Sequence, residues 1–265
     1  MRKPTVVTVI VVLVLLMNPR SESNAQTNVN VGIKAGLGIA SCSGLDDLFE
    51  PAEWGGYTPS VDKGSRLGVV VGGFLELRLV ENVFIQPEFL YVQGGCKRDI
   101  GIDFYEAMGA IEVFVEGSVE SSEDLNYLEI PILLKYVVSG GSGSGPYFLA
   151  GPSIGIKLSA EMAYGFAATV SVYEDGVLTD SEYISDSGSE DLDDYLKGTN
   201  FSMIFGAGYI QELAQGALFV EARFSLGLTD IFEDTYDIET WPNVYVYLED
   251  AKTRLLSITV GYAFL

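Results

Sequence analysis

The chain contains no histidine, which removes Ser-His-Asp and Cys-His nucleophilic sites and His-ligated zinc or iron. Ser–Lys and paired-carboxylate schemes remain open in residue type. The charged residues that share a strand face with glycine and serine are Lys34, Glu76, Arg78, Glu88, Glu129, Lys135, Lys157, Glu221 and Arg223, four acids against five bases. That near balance predicts charges paired with one another inside the molecule, a structural network and not a catalytic one. Nothing in the residue set calls for a cofactor. A second grouping, Glu190-Asp191-Leu192-Asp193-Asp194, offers Asp191, Asp193 and Asp194 as candidate metal ligands. It lacks the ligand spacing and central glycine of an EF-hand, so a dedicated calcium site is not read from it. The third feature is a pair of cysteines, Cys42 and Cys96, the only two in the chain.

The elements that must position these residues are strands. The last segment, 255–265, alternates Leu256, Ile258, Val260, Tyr262 and Phe264 with Ser257, Thr259, Gly261 and Ala263. Successive side chains of a strand point to opposite faces, so one face is wholly apolar and the other small or polar. The same period-two pattern recurs at 28–40, 66–79, 83–92, 127–136, 147–158, 200–210 and 217–228, giving eight strands. Each is near the length that crosses a bilayer at a tilt, and an even number closes a bacterial barrel. The expected fold is therefore all-β, an eight-stranded antiparallel up-and-down transmembrane β-barrel, apolar outside and polar inside. Prolines 87, 131 and 152 fall within strands and remove ladder donors, which predicts bulges there.

The connections alternate in length. Those at 80–82, 137–145 and 211–216 are short, whereas 41–65, 94–126, 159–198 and 229–251 are long. Short turns belong to the periplasm and long loops to the exterior. With that orientation Tyr136, Phe148, Tyr209, Tyr262 and Phe264 share the periplasmic end as an aromatic girdle. The four long loops hold 30 of the 37 carboxylates and 4 of the 15 basic residues. Such a surface is self-repelling and solvated, does not suit nucleic acid, and offers divalent cations or surface proteins a place to meet the molecule. Within two loops, 111–115 and 169–177 alternate like strands, the second broken at Glu174-Asp175-Gly176, and could extend hairpins above the membrane.

Arg2 and Lys3 precede an apolar run from Thr5 to Met17, followed by Ser23-Asn24-Ala25. This is the layout of a secretory signal peptide over residues 1–25, leaving 26–265 as one barrel domain. The apolar run is well short of the roughly 20 residues of a spanning helix. Export makes oxidation of Cys42 and Cys96 reasonable. Each lies just beyond the upper end of its strand, but another strand runs between, and two spacings of about 4.8 Å separate the backbones by near 10 Å, beyond the roughly 7 Å that a disulfide bridges. A bridge therefore requires the segments at Ser41 and Gly95 to bend inward over the barrel mouth, next to glycines 44, 94 and 95.

Leu128-Glu129-Ile130-Pro131 with Lys135-Tyr136, Gln86-Pro87-Glu88, Ala150-Gly151-Pro152-Ser153 and the terminal Gly261-Tyr262-Ala263-Phe264 occur in that order. In these motifs the chain resembles the PorT-like outer-membrane β-barrel domain family of Bacteroidetes-type bacteria, from about Asn28 to the C-terminus. The resemblance implies an eight-stranded barrel in the outer membrane and no single shared activity. Leu265 after Phe264 departs from the aromatic terminus usual in the family.

Three functions fit. The first is a monomeric structural or surface-interaction barrel in outer-membrane lipid, its lumen filled, because eight strands leave an interior just wide enough for side chains. The second is a secretion-accessory or narrow transport component. The third is a soluble periplasmic lipocalin-like barrel, which would need the apolar face inside.

Overall fold

A computed structural model describes residues 29–43, 60–138, 144–232 and 251–264. The leader expected at 1–25 lies outside the described residues, as do most of the first and last long loops. Among the described residues nine strands occur: β1 (Val29–Ser43), β2 (Ser60–Val80), β3 (Val83–Met108), β4 (Ile111–Val137), β5 (Gly145–Glu174), β6 (Val177–Asp191), β7 (Thr199–Leu213), β8 (Gly216–Gly227) and β9 (Lys252–Phe264). Eight of them form a closed antiparallel ring, β1-β2-β3-β4-β5-β7-β8-β9 and back to β1. Closure runs from Val31 opposite Phe264 to Ser43 opposite Lys252. Closure leaves the ring with no open strand edge, the condition for strands in lipid.

The outer wall is apolar. Ile33, Leu37, Leu67, Ile132, Leu134, Phe205, Val220, Ile258 and Val260 are all exposed, a continuous belt that water would not tolerate and hydrocarbon does. Tyr136, Phe148, Tyr209 and Phe264 are exposed at the short-turn end. Tyr262 lies there too, its hydroxyl donating to the Gln215 carbonyl at 2.8 Å. No helix among the described residues is long and apolar enough to cross a membrane.

The interior differs from the polar lumen expected. Phe74, Phe84, Leu133, Tyr147, Leu149 and Phe219 form an apolar cluster toward the short-turn end, and Val70, Leu90 and Val92 form another higher up. These residues lie on the inward face by the same alternation that sends their neighbours outward. Glycines make room for them. A Cβ on Gly32 would sit 2.1 Å from Phe74 Cζ, and one on Gly261 would sit 2.3 Å from Phe219 Cζ. Phe74 and Phe219 meet edge to face with centroids 5.5 Å apart, a favoured aromatic geometry.

Two of the four long loops are largely strand. β3 and β4 run on together to a two-residue turn at Gly109-Ala110, with Met108 opposite Ile111. β5 continues to Glu174 and folds back as β6 through Asp175 and Gly176, both at positive φ, 51° and 75°, which is the backbone of a tight hairpin turn matched to strand twist. The upper halves of β3, β4 and β5 with β6 thus make a four-stranded sheet standing above the ring, joined at its base by the start of β2. At about 3.3 Å per residue, Gln93 to Met108 rises about 50 Å.

The prolines do not produce bulges. The β3–β4 register is the same on both sides of Pro87 opposite Ile132, and the β4–β5 register the same on both sides of Pro131 opposite Ser153. A proline lacks one donor but adds no residue, so the strand keeps step. Register shifts occur instead at Ser65/Val70, Arg78/Val80, Asn126/Tyr127 and Val172/Tyr173.

Candidate functional site: a closed lumen beneath a raised sheet

Inward positions on β1, β3 and β8 converge in mid-barrel. Lys34 Nζ donates to Glu88 Oε1 at 2.9 Å and to Glu221 Oε1 at 3.2 Å. Arg223 clasps Glu88 with both terminal nitrogens, Nη1 to Oε2 and Nη2 to Oε1, each at 2.7 Å, and its Nε donates to Glu221. Two cations and two carboxylates thus form one neutral quartet with buried side chains. Buried charge is tolerated only when paired and hydrogen-bonded in this way. Gln86 Nε2 and the Tyr147 hydroxyl, 2.9 Å from Glu221 Oε2, complete the donor set. Tyr147 was not singled out from sequence, although its parity opposite to Phe148 points it inward.

The remaining expected lumen charges divide. Lys135 pairs with Glu76 at 2.6 Å and lies 4.4 Å from the centroid of Tyr147. Asn30 donates to the other oxygen of Glu76 at 3.2 Å. Arg78 is outside any such network: it is exposed at the short-turn end, its guanidinium 5.3 Å from the Phe84 ring centre. It lies two residues from the end of β2, beyond the buried part of the lumen. Lys157 is at the opposite mouth, where its Nζ donates to the Leu196 carbonyl at 2.6 Å and to that of Asp193, tying the descent from β6 to the wall. Glu129 makes no hydrogen bond or ion pair among the described residues. It faces a cavity of about 20 Å³ shared with Lys34, Arg223, Ser257 and Thr259, room for a single water.

The upper mouth is stoppered. Cys42 and Cys96 are joined in a disulfide with Cα atoms 5.5 Å apart. The approach depends on two departures from a regular wall. β2 loses register with β3 between Ser65 and Val70, and Gly95 takes φ +130° where a Cβ would lie 1.8 Å from the Glu123 carbonyl oxygen. Leu125, Tyr127, Leu196, Ile231 and Phe232 pack around the bridge. Beside it Arg98 pairs with Glu123, and burial draws the Arg98 guanidinium below its ordinary value. Arg66 pairs with Asp124. From bottom to top the lumen therefore reads apolar, ionic, apolar and stoppered.

Two of the three acidic candidates accept backbone hydrogen bonds. Asp191 Oδ1 accepts the Asp193 amide at 2.8 Å, and Asp193 Oδ1 accepts that of Ala160 at 2.9 Å. Asp194 is exposed. Among the described residues no three His, Cys, Asp or Glu side chains converge as a metal would need.

A family model described as an outer membrane protein beta-barrel domain matches residues 24–233. No curated protein matches the chain. Solved structures similar to it include Ail, the attachment invasion locus protein of Yersinia pestis, at 10% identity over 89% of this chain and 99% of that one, TM-score 0.32. OprG from Pseudomonas aeruginosa matches at 14% identity over 89% and 95%, TM-score 0.38. Neisserial surface protein A matches at 12% identity over 88% and 96%, TM-score 0.33.

Proposed function

The chain belongs to the outer membrane protein beta-barrel domain family, and from that premise we propose a non-catalytic surface barrel, anchored by its ring and presenting the raised β3–β6 sheet outside the cell as an interaction surface. The observation that carries the reading is the lumen. The Lys34, Glu88, Glu221 and Arg223 quartet sits between apolar clusters and leaves a cavity of only about 20 Å³ there. An ion entering it would give up its hydration for side chains already paired. The material invested above the membrane supports the same reading, because two hairpins far longer than a bilayer crossing serve no purpose in anchoring.

Within the family, a PorT-like affiliation rests on the Leu128-Glu129-Ile130-Pro131 segment and its companion motifs. Residues 1–25 act as the leader, removed after Ala25. Planar-bilayer recording tests the function: the refolded protein passes no steady current, and a persistent single-channel conductance would overturn the closed-lumen reading in favour of transport.

A further inference from the structure

The raised sheet ends on β6, and the two sides of that strand differ. One side pairs with β5 from Glu174 opposite Val177 to Glu161 opposite Asp191. Among the described residues nothing pairs with the other, and β6 is exposed along almost its whole length. The Leu192 amide donates to the Ala160 carbonyl, toward β5. Backbone direction alternates along a strand, so beyond the register shift at Thr179, from Asp180 on, even-numbered amides of β6 face β5 and odd-numbered ones face the open side. The side chains agree. The open-side amides of Ser181 and Ser187 are occupied only by the preceding carboxylates, Asp180 Oδ1 at 2.9 Å and Asp186 Oδ1 at 2.8 Å.

Native proteins blunt a free edge of this length with charged side chains, lysine above all, with proline, or with a covering segment. β6 has neither lysine nor proline and carries acids alone: Asp180, Glu182, Asp186, Glu190 and Asp191. The first four share one face at even positions. A second copy of the chain is the wrong occupant. Antiparallel pairing of β6 with itself, centred on any residue from Tyr183 to Asp186, sets at least one carboxylate directly opposite another, a destabilising arrangement. Basic side chains at alternate positions would meet those same carboxylates as opposite charges and draw Asp180 and Asp186 off the amides they cover.

We propose that the open edge of β6 takes up an extended, basic segment of a partner polypeptide as an added antiparallel strand, with lysine or arginine at every second residue facing Asp180, Glu182, Asp186 and Glu190. The main chain supplies affinity and the alternating charges supply register and selectivity. This deepens the surface-interaction function and rests on it.

The test uses the full protein in detergent micelles or liposomes and three synthetic twelve-residue peptides: alternating Lys-Thr, alternating Glu-Thr, and a Lys-Thr version with two central prolines. Titration is followed by fluorescence anisotropy, and edge amides by hydrogen exchange. The Lys-Thr peptide saturates and slows exchange at Ser181, Tyr183, Ser185 and Ser187 at least tenfold, whereas the other two do not bind measurably. Ser185→Pro removes an open-side donor without touching the β5 ladder and weakens binding at least tenfold. D180N/E182Q/D186N does the same. Absence of saturable binding overturns the proposal. So does binding of the proline peptide, or undiminished binding to Ser185→Pro, either of which reduces the interaction to charge adsorption. Concentration-dependent dimers lost in Ser185→Pro would overturn it in favour of a second copy. None of these results depends on conductance, so this inference and the closed-lumen reading fail separately.

Discussion

Replacing Arg223 with methionine removes the two 2.7 Å bonds to Glu88 and the contact with Glu221, leaving two buried carboxylates to share Lys34. Glu88 retains Lys34 and Gln86, and Glu221 retains Lys34 and Tyr147, so hydrogen bonds survive while charge balance does not. Breaking a buried ion set by removing one partner costs about 3–5 kcal/mol. With an urea dependence of about 2 kcal/mol per molar for a protein this small, the unfolding midpoint falls by about 1.5–2.5 M. The assay is reversible urea unfolding in lipid vesicles, followed by far-ultraviolet circular dichroism and by gel mobility without boiling. Two comparisons isolate the cause. Arg78→Met loses only an exposed contact over Phe84 and changes stability by less than about 1 kcal/mol. Arg223→Met with Glu88→Met restores neutrality and recovers part of the loss, because paired charges replaced by apolar groups of similar volume are about neutral, while the buried Gln86 amide that donated to Glu88 loses its partner. Equal midpoints for the Arg223 and Arg78 variants, or a double variant no more stable than the single, would refute the argument that the quartet holds the barrel through charge compensation.

The disulfide closes a separation of 54 residues, so Cys42→Ser with Cys96→Ser, or reduction of the wild type, lowers stability by about 4 kcal/mol on chain-entropy grounds; unchanged urea midpoints with and without reductant would count against it. Gly32→Val forces branched atoms into the space of the Phe74 ring and toward the Tyr262 carbonyl oxygen and costs about 1–3 kcal/mol by overpacking, a loss that Phe74→Leu in the same chain relieves only in part and that thermal melts can read. Glu182→Gln, on an exposed strand, changes stability by under about 0.5 kcal/mol, measured in the same unfolding series. The wild type in micelles runs differently on gels before and after boiling and shows a β-type dichroism spectrum; identical mobility with a helical spectrum would contradict the fold.

The wall was legible because lipid demands one apolar face of every strand, so Leu128, Ile130, Ile132 and Leu134 announce both the strand and its side. The raised sheet was less so. Above the membrane neither face must be apolar throughout, and Asp99, Asp103, Glu112, Glu116 and Glu120 read as loop charges although they alternate as strictly as any barrel residue. Only 111–115 and 169–177, where β-branched and aromatic residues concentrate, carried a strand signal. The lumen was half legible. Reading the inward face from its glycines, serines and charges found Lys34, Glu88, Glu221 and Arg223, but passed over Phe74, Leu133 and Phe219 on that same face. A glycine on one strand and an aromatic on its neighbour fill one volume between them, and that complementarity depends on register, which one strand alone does not contain. Height above the membrane likewise depends on register, hence the separation of Arg78 and Lys157 from the charges they resemble in sequence.

The long strands also have a mechanical meaning. β5 runs unbroken from Gly145 in the wall to Glu174 at the tip, and β6 lies along its upper half in register for most of its length. A pull directed outward along β6 slides one strand past the other. All the bonds of that ladder then share the load at once, where a pull across the hairpin would open them one by one. The load passes down β5 into a ring whose strands pair edge to edge all the way round, and the neighbouring β4–β5 ladder changes register only at Asn126/Tyr127, where sheet and ring meet. Resistance to forced unfolding is governed by the rate of the first rupture, so a molecule gripped along this edge yields at higher tension than one gripped at its tip.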